Sequence, residues 1–168
     1  RNPKGTAMSN EHVPTQTVVV DLSAVRGVPA YKASGFIWCF TPDGMRPSDA
    51  IVAPLKIQKT RCSPARIRSW YPRLRALNMR AQMVISDGWR DLTGNARWPG
   101  DNDAWDEWER FCTDLVRSNQ IAGITTEYDI VNEPDNKGFW TPTYERFLEA
   151  WKRGYRAIRS VDPPSIRD

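Results

Sequence analysis

Histidine is almost missing: His12 is the only one among 168 residues. A Ser-His-Asp triad would have to recruit it from a polar stretch that precedes any recognisable element, and a His-x-x-x-His metal pair has no second member. Acid–base chemistry therefore falls to carboxylates. Cysteine is also sparse: Cys39, Cys62 and Cys112 lie on separate elements with no Cys-x-x-Cys spacing, so zinc and redox motifs are unsupported. At least one thiol is unpaired within the chain, and all three read as small buried apolar residues. No apolar run approaches the roughly 20 residues of a membrane span, which argues against insertion. No strand end carries the glycine-rich turn that cradles phosphates, which leaves a nucleotide-binding domain without its motif. Neither charge sign dominates. The 24 basic and 20 acidic residues are scattered, and the loose basic cluster from Arg61 to Arg80 reads as a solvated face rather than a nucleic-acid site. The chain opens on Arg1, and Met8 is followed by Ser-Asn-Glu-His-Val-Pro. Neither start shows a basic region and apolar core of a signal peptide, and the compartment stays open between cytoplasm and export.

What is present is an ordinary globular composition, 40% hydrophobic and 26% charged, in a repeating order of short β-rich runs and amphipathic stretches. Residues 1–16 read as a flexible polar tail. Residues 17–34 hold Thr17-Val18-Val19-Val20-Asp21, an extra strand, and a linker with Gly27 and Pro29. The run Gly35 to Phe40 is continuously apolar, as a strand buried on both faces would be. Ser48 caps a short helix that Pro54 bends or ends before Leu55, and Ile57 to Arg61 forms a second strand. Ser63-Pro64 and Tyr71-Pro72 both look like helix starts, leaving one broken helix or a loop and a short helix. Ala81 to Ser86 is a third strand, followed by Asp87-Gly88-Trp89 and an unusually long connection that also contains Asp91 and Trp98. Connections of that length are usually functional or disordered, and two tryptophans argue against disorder. Their flat faces suit either a pyranose ring or a local mini-core. A helix from Asp103 to about Ser118 carries acidic residues in its N-terminal half, matching the helix dipole. The last helix is capped by Thr141 with Pro142 at its first position, and its apolar stripe is Tyr144, Phe147, Leu148, Trp151, Tyr155 and Ile158.

The chain is organised around Tyr128-Asp129-Ile130-Val131-Asn132-Glu133-Pro134-Asp135. Thr125 to Asn132 suits a largely buried fourth strand, and Pro134, with no N–H for a ladder, ends it. Proline also pushes Glu133 into an extended or turn conformation. Glu133 is thus expected at a strand's C-terminal mouth, where α/β architectures bind ligands. A surface turn is the alternative reading of the same tripeptide. In a parallel sheet all strand ends share one rim, on which Trp38, Arg61, Asp87, Trp89, Asn132, Glu133 and Trp140 are expected to converge.

Asn132-Glu133-Pro134-Asp135, followed by Phe139-Trp140 and a helix with Tyr144, Phe147, Trp151, Tyr155 and Ile158, resembles the fourth strand and helix of retaining clan-A glycoside hydrolases. It is most like family 39 and its β-xylosidase-like members. The resemblance spans residues 17–162 and implies the first four β/α units of a (β/α)8 TIM barrel, residues 35–168, behind a short extra strand. It implies that Glu133 is the general acid/base and Asn132 the contact to the sugar's 2-hydroxyl. Arg61 stands where the clan commonly keeps an arginine, although a surface arginine reads equally well. Trp38, Asp87, Trp89 and Trp140 are the remaining expected substrate contacts. The clan's nucleophile, a Glu ending the seventh strand, would lie beyond Asp168.

Retaining hydrolysis uses two carboxyl groups about 5–5.5 Å apart, one as nucleophile and one that protonates the leaving oxygen and then activates water. The acid needs partial burial and a negative neighbour to keep its proton. Asp87, Glu127, Asp129 and Asp135 are weaker candidates, and no metal or organic cofactor is required. The expected partner is an oligosaccharide or glycoside, with self-association through the apolar interior of an open half-barrel. A carbohydrate-binding half-barrel without catalysis is the alternative.

Overall fold

Four short runs, each with one β-branched residue (Ile37, Thr60, Val84 and Thr126), alternate with helical stretches and build a four-stranded, all-parallel sheet with helices between the strands. The computed structural model describes residues 17–21, 23–24, 27, 35–38 and 40–163, and the chain divides into two compact units, Arg1–Ala30 and Tyr31–Asp168.

In the first unit the expected extra strand is not formed. Residues 17–21 have no ladder partner among the described residues, and Val18, Val19 and Val20 are 73–85% exposed. The run ends in a turn in which Asp21 Oδ1 accepts from the Ser23 N–H at 2.9 Å and from its hydroxyl at 2.6 Å. These two bonds hold the Asp21 carboxyl below its usual range.

The second unit runs β1 (Gly35–Ile37), α1 (Asp49–Val52), β2 (Lys59–Cys62), α2 (Pro64–Ala76), β3 (Arg80–Val84), α3 (Ile85–Thr93), α4 (Trp105–Ile121), β4 (Thr126–Asp129) and α5 (Tyr144–Val161). The strands lie in sequence order, each paired in parallel with the next. A 3-10 turn from Ala53 to Leu55, containing Pro54, ends α1 as the proline requires. Ser63 is the N-cap of α2 with Pro64 first, and this one helix continues through Pro72. Burial of Ile67, Trp70 and Leu74 outweighs the backbone bond that Pro72 forfeits.

Alternation gives the sheet two unlike faces. Thr60, Cys62, Ala81 and Met83 point into a core shared with Ile67, Leu74, Trp108, Cys112 and Val116 of the helices. Burial pushes the Cys62 thiol up to about 12 and the Cys112 thiol higher still, so both are inert apolar fillers; Cys39 lies outside the described residues. The opposite face carries Lys59, Arg61, Gln82, Glu127 and Asp129. Lys59 and Arg80 pair with Glu127 at 2.8 and 2.9 Å, and Arg61 reaches over β3 to Asp129. The expected apolar interior is thus an ion-paired surface, which water can solvate. β1 is likewise not buried on both sides: Ile37 is 58% exposed on the same face as Arg61.

An exposed aromatic pair lies instead beside β4, the last strand in the sheet order. There Trp151 and Tyr155 stack with centroids 5.3 Å apart, each 42% exposed, next to a cavity of about 630 Å³. They and Tyr144 belong to the expected apolar stripe of α5; the helix buries Ile158 of that stripe, and beside it Ala150, Gly154 and Ala157. Small residues win because α4 and the segment after β4 come close: Trp108 Nε1 donates to the Ala150 carbonyl at 2.9 Å, and a Cβ on Gly154 would lie 3.2 Å from Trp108 Cζ2 and 2.8 Å from Ile130 Cγ2. The cap of α5 is Thr143, whose hydroxyl accepts from the Arg146 N–H, two residues later than the expected Thr141. Among the described residues no helix is long and apolar enough to cross a membrane.

Candidate functional site

Parallel pairing brings the C-terminal ends of all four strands to one rim. β4 stops at Asp129, three residues before the expected Asn132, because its partner β3 stops at Val84, where α3 begins. Ile130 to Pro134 therefore crosses the rim without a ladder, and side chains hold it. Asn132, 5% exposed, is held at both ends: its N–H donates to Ser86 Oγ at 3.0 Å, and its Oδ1 accepts from Arg61 Nη2 at 2.6 Å. Arg61 in turn donates from Nε to Asp129 Oδ2 at 3.0 Å, with a second bond from Nη2 to the same oxygen. With Oδ1 occupied, the Asn132 amide presents its NH2 as a donor.

Glu133 follows with φ 37, in the left-handed region that L side chains with a Cβ rarely adopt. Pro134 allows the turn in place of the extended conformation. The carboxylate is exposed, not half-buried as its expected role asks, and Oε2 accepts from Asn136 Nδ2 at 3.1 Å. Asn136 also donates its N–H to the Glu133 carbonyl at 2.9 Å, and its Oδ1 accepts from the Gly138 N–H at 2.9 Å. It organises the loop after Glu133.

Asp87 is half-buried on α3. Burial raises its carboxyl above the usual range, helped by Asp91 and Asp129 and opposed by Arg61 and Arg90. Trp38 stands immediately after β1 at φ 61, 36% exposed, with Arg66 over its ring at 5.5 Å.

Two expected rim residues belong to the core. Trp89 is 2% exposed, with its ring edge-on to Trp108 at 5.6 Å and to Phe111 at 5.5 Å, and its indole N–H donates to the Arg97 carbonyl. Trp140 is 4% exposed and packs edge-on against Trp98 at 5.4 Å. The reason for the first is α3: the stretch read as a long connection is helical from Ile85 to Thr93, which turns Trp89 inward. Gly88 carried the signal, since a Cβ there would strike Pro64 Cγ at 2.6 Å, a close helix approach rather than a loop. Sequence reasoning also passed over Ser86 and Asn136, and ranked Asp129 below its place as the ion partner of Arg61. A serine closing a strand-like run and an asparagine two before a glycine were the only cues.

The class defined by fold and rim is an α/β protein with a guanidinium–amide–carboxylate cluster at the C-terminal ends of its strands. Compared with family models, with curated proteins and with solved structures, the chain gives no match.

Proposed function

We propose that this chain carries the acid/base half of a retaining glycoside hydrolase site, on the first four units of a (β/α)8 barrel. The observation that carries the reading is the doubly held Asn132 directly before Glu133, with Arg61 fixing its amide. In this reading the amide donates to the sugar's 2-hydroxyl, a bond that strengthens in the transition state. Glu133 protonates the leaving oxygen and then takes a proton from the incoming water. Its left-handed backbone supports a functional role, because such strain costs about 1–3 kcal/mol and collects at active sites. The nucleophile, in the resemblance, belongs to a seventh strand: it would supply the negative neighbour, and the other half of the cleft the partial burial, that the acid role asks of Glu133. The coding sequence downstream of Asp168 tests this: the reading predicts further β/α units with a strand ending in Glu on the order of 100 residues on, and no such units would contradict it.

The exposure of Glu133 favours a second reading, a carbohydrate-binding half-barrel without catalysis. The two separate on hydrolysis by the protein translated from the complete reading frame, which Glu133→Gln lowers in the first and which is absent in the second.

A further inference from the structure

We propose that the open cavity between the ends of β1 and β2 and the helix α3 is a subsite for an uncharged, hydroxyl-rich pyranose ring, separate from Glu133. The inference rests on the reading above for the class of ligand, and on none of that reading's chemistry. The cavity measures about 450 Å³, within the range of small-molecule sites, about 300–1,000 Å³. Neither Glu133 nor Asn132 lines it.

Its lining selects the ligand by balance. Two guanidiniums, Arg66 and Arg90, face the same space as two carboxyls, Asp87 and Asp91. An anion would meet the carboxyls and a cation the guanidiniums. A neutral ring whose every hydroxyl both donates and accepts satisfies both sets. Ser63 and Asn95 add groups of mixed character, and Trp38 and Phe139 add apolar carbon to the lining.

The guanidiniums are held in a way that keeps donors free. Arg66 lies over Trp38 and Trp70 at 5.5 and 5.7 Å, and Arg90 over Phe139 at 5.5 Å and Trp98 at 5.9 Å. Cation–π contact fixes the plane without using its N–H groups. Arg90 spends one donor, Nε, on Asn95 Oδ1 at 2.8 Å. Among the described residues neither arginine forms an ion pair with a carboxylate. Four of the lining residues come from α3 and the turn after it, so this segment, rather than Trp89, is what the chain offers a sugar.

The test is calorimetric titration of the 168-residue chain with methyl β-D-glucopyranoside and with its charged counterpart, methyl β-D-glucuronide. Asp91→Ala and Asn95→Ala, both at exposed positions, serve as subsite variants, and Arg117→Ala, exposed on α4, as the variant outside the cavity. The neutral glycoside should bind more tightly than the glucuronide. Each subsite variant should weaken it about fivefold or more, the loss of roughly one net hydrogen bond, while Arg117→Ala leaves it unchanged. No binding, tighter binding of the glucuronide, or wild-type affinity in both subsite variants would overturn the proposal. Sugar binding that needs Asp91 and Asn95, with no hydrolysis by the protein translated from the complete reading frame, would leave the subsite standing and remove the hydrolase reading. Glu133-dependent hydrolysis with binding indifferent to both variants would do the reverse.

Discussion

Arg61 and Asn132 lie 71 positions apart in sequence and 2.6 Å apart in space, the guanidinium at the end of β2 donating to the amide oxygen beyond β4. That bond turns two strand ends into one site. Removing the arginine should leave the Asn132 oxygen and the Asp129 carboxylate without their donor in a partly buried place. Arg61→Met is expected to lower the urea-unfolding free energy by about 1–3 kcal/mol. A change within the error of the midpoint would mean that water replaces the guanidinium at no cost.

Glu133 gives the opposite sign. Its φ of 37 penalises any residue with a Cβ, and glycine carries no such penalty. Glu133→Gly should raise stability by up to about 1 kcal/mol, since a non-glycine residue in this region costs roughly 1–2 kcal/mol and the glycine loses the Asn136 bond. A lower unfolding midpoint in the variant would remove backbone strain from the description of the site.

The seating of α5 against α4 and against Ile130 after β4 depends on a missing methyl. Gly154→Ala would press its Cβ to 2.8 Å from Ile130 Cγ2 and 3.2 Å from Trp108. Overpacking of this kind costs about 1–3 kcal/mol. Thermal unfolding should show a clear loss, whereas an unchanged Tm would place the helices farther apart.

Asp87 predicts a pH dependence. Its carboxyl, among Arg61, Arg90, Asp91 and Asp129, is raised in the folded chain above its ordinary 3.8, chiefly by burial. The folded state therefore holds the proton more tightly than the unfolded one. Its contribution to stability is fully present below 3.8 and is lost as pH rises through the folded value. Unfolding curves of the wild type and Asp87→Asn should accordingly converge in acid and part as pH climbs, with the variant the more stable at neutral pH. Parallel curves would show that Asp87 is solvated.

Much of the fold was legible because its signals are local. The order of strands and helices follows from apolar runs broken by proline and glycine, and Asn132-Glu133-Pro134 marks its rim position through one missing N–H. What was not legible depends on register and on close approach. The Arg61–Asp129 pair exists because Arg61 aligns with Gln82, and Val84 with Asp129, an offset no single strand reveals. Trp89 looked like an exposed platform because the run through Met83-Val84-Ile85-Ser86 reads as strand, whereas the chain coils at Ile85. The α5 stripe misled for a related reason: with α4 so near, alanine and glycine face the core and the large aromatics Trp151 and Tyr155 are left outside.

The central claim is that Glu133 is a glycosidic acid/base, and the direct measurement is hydrolysis of aryl β-glycosides by the protein translated from the complete reading frame, with NMR of the first-formed anomer. The account predicts retention of configuration. It also predicts that Glu133→Gln lowers kcat/KM about 10²–10⁴-fold on poor leaving groups, the usual contribution of a general acid, and that the 168-residue chain alone turns over none of the panel. Inversion, or hydrolysis indifferent to Glu133→Gln, would contradict the assignment. Robust turnover by the 168 residues themselves, abolished by that substitution, would put the second carboxylate within them.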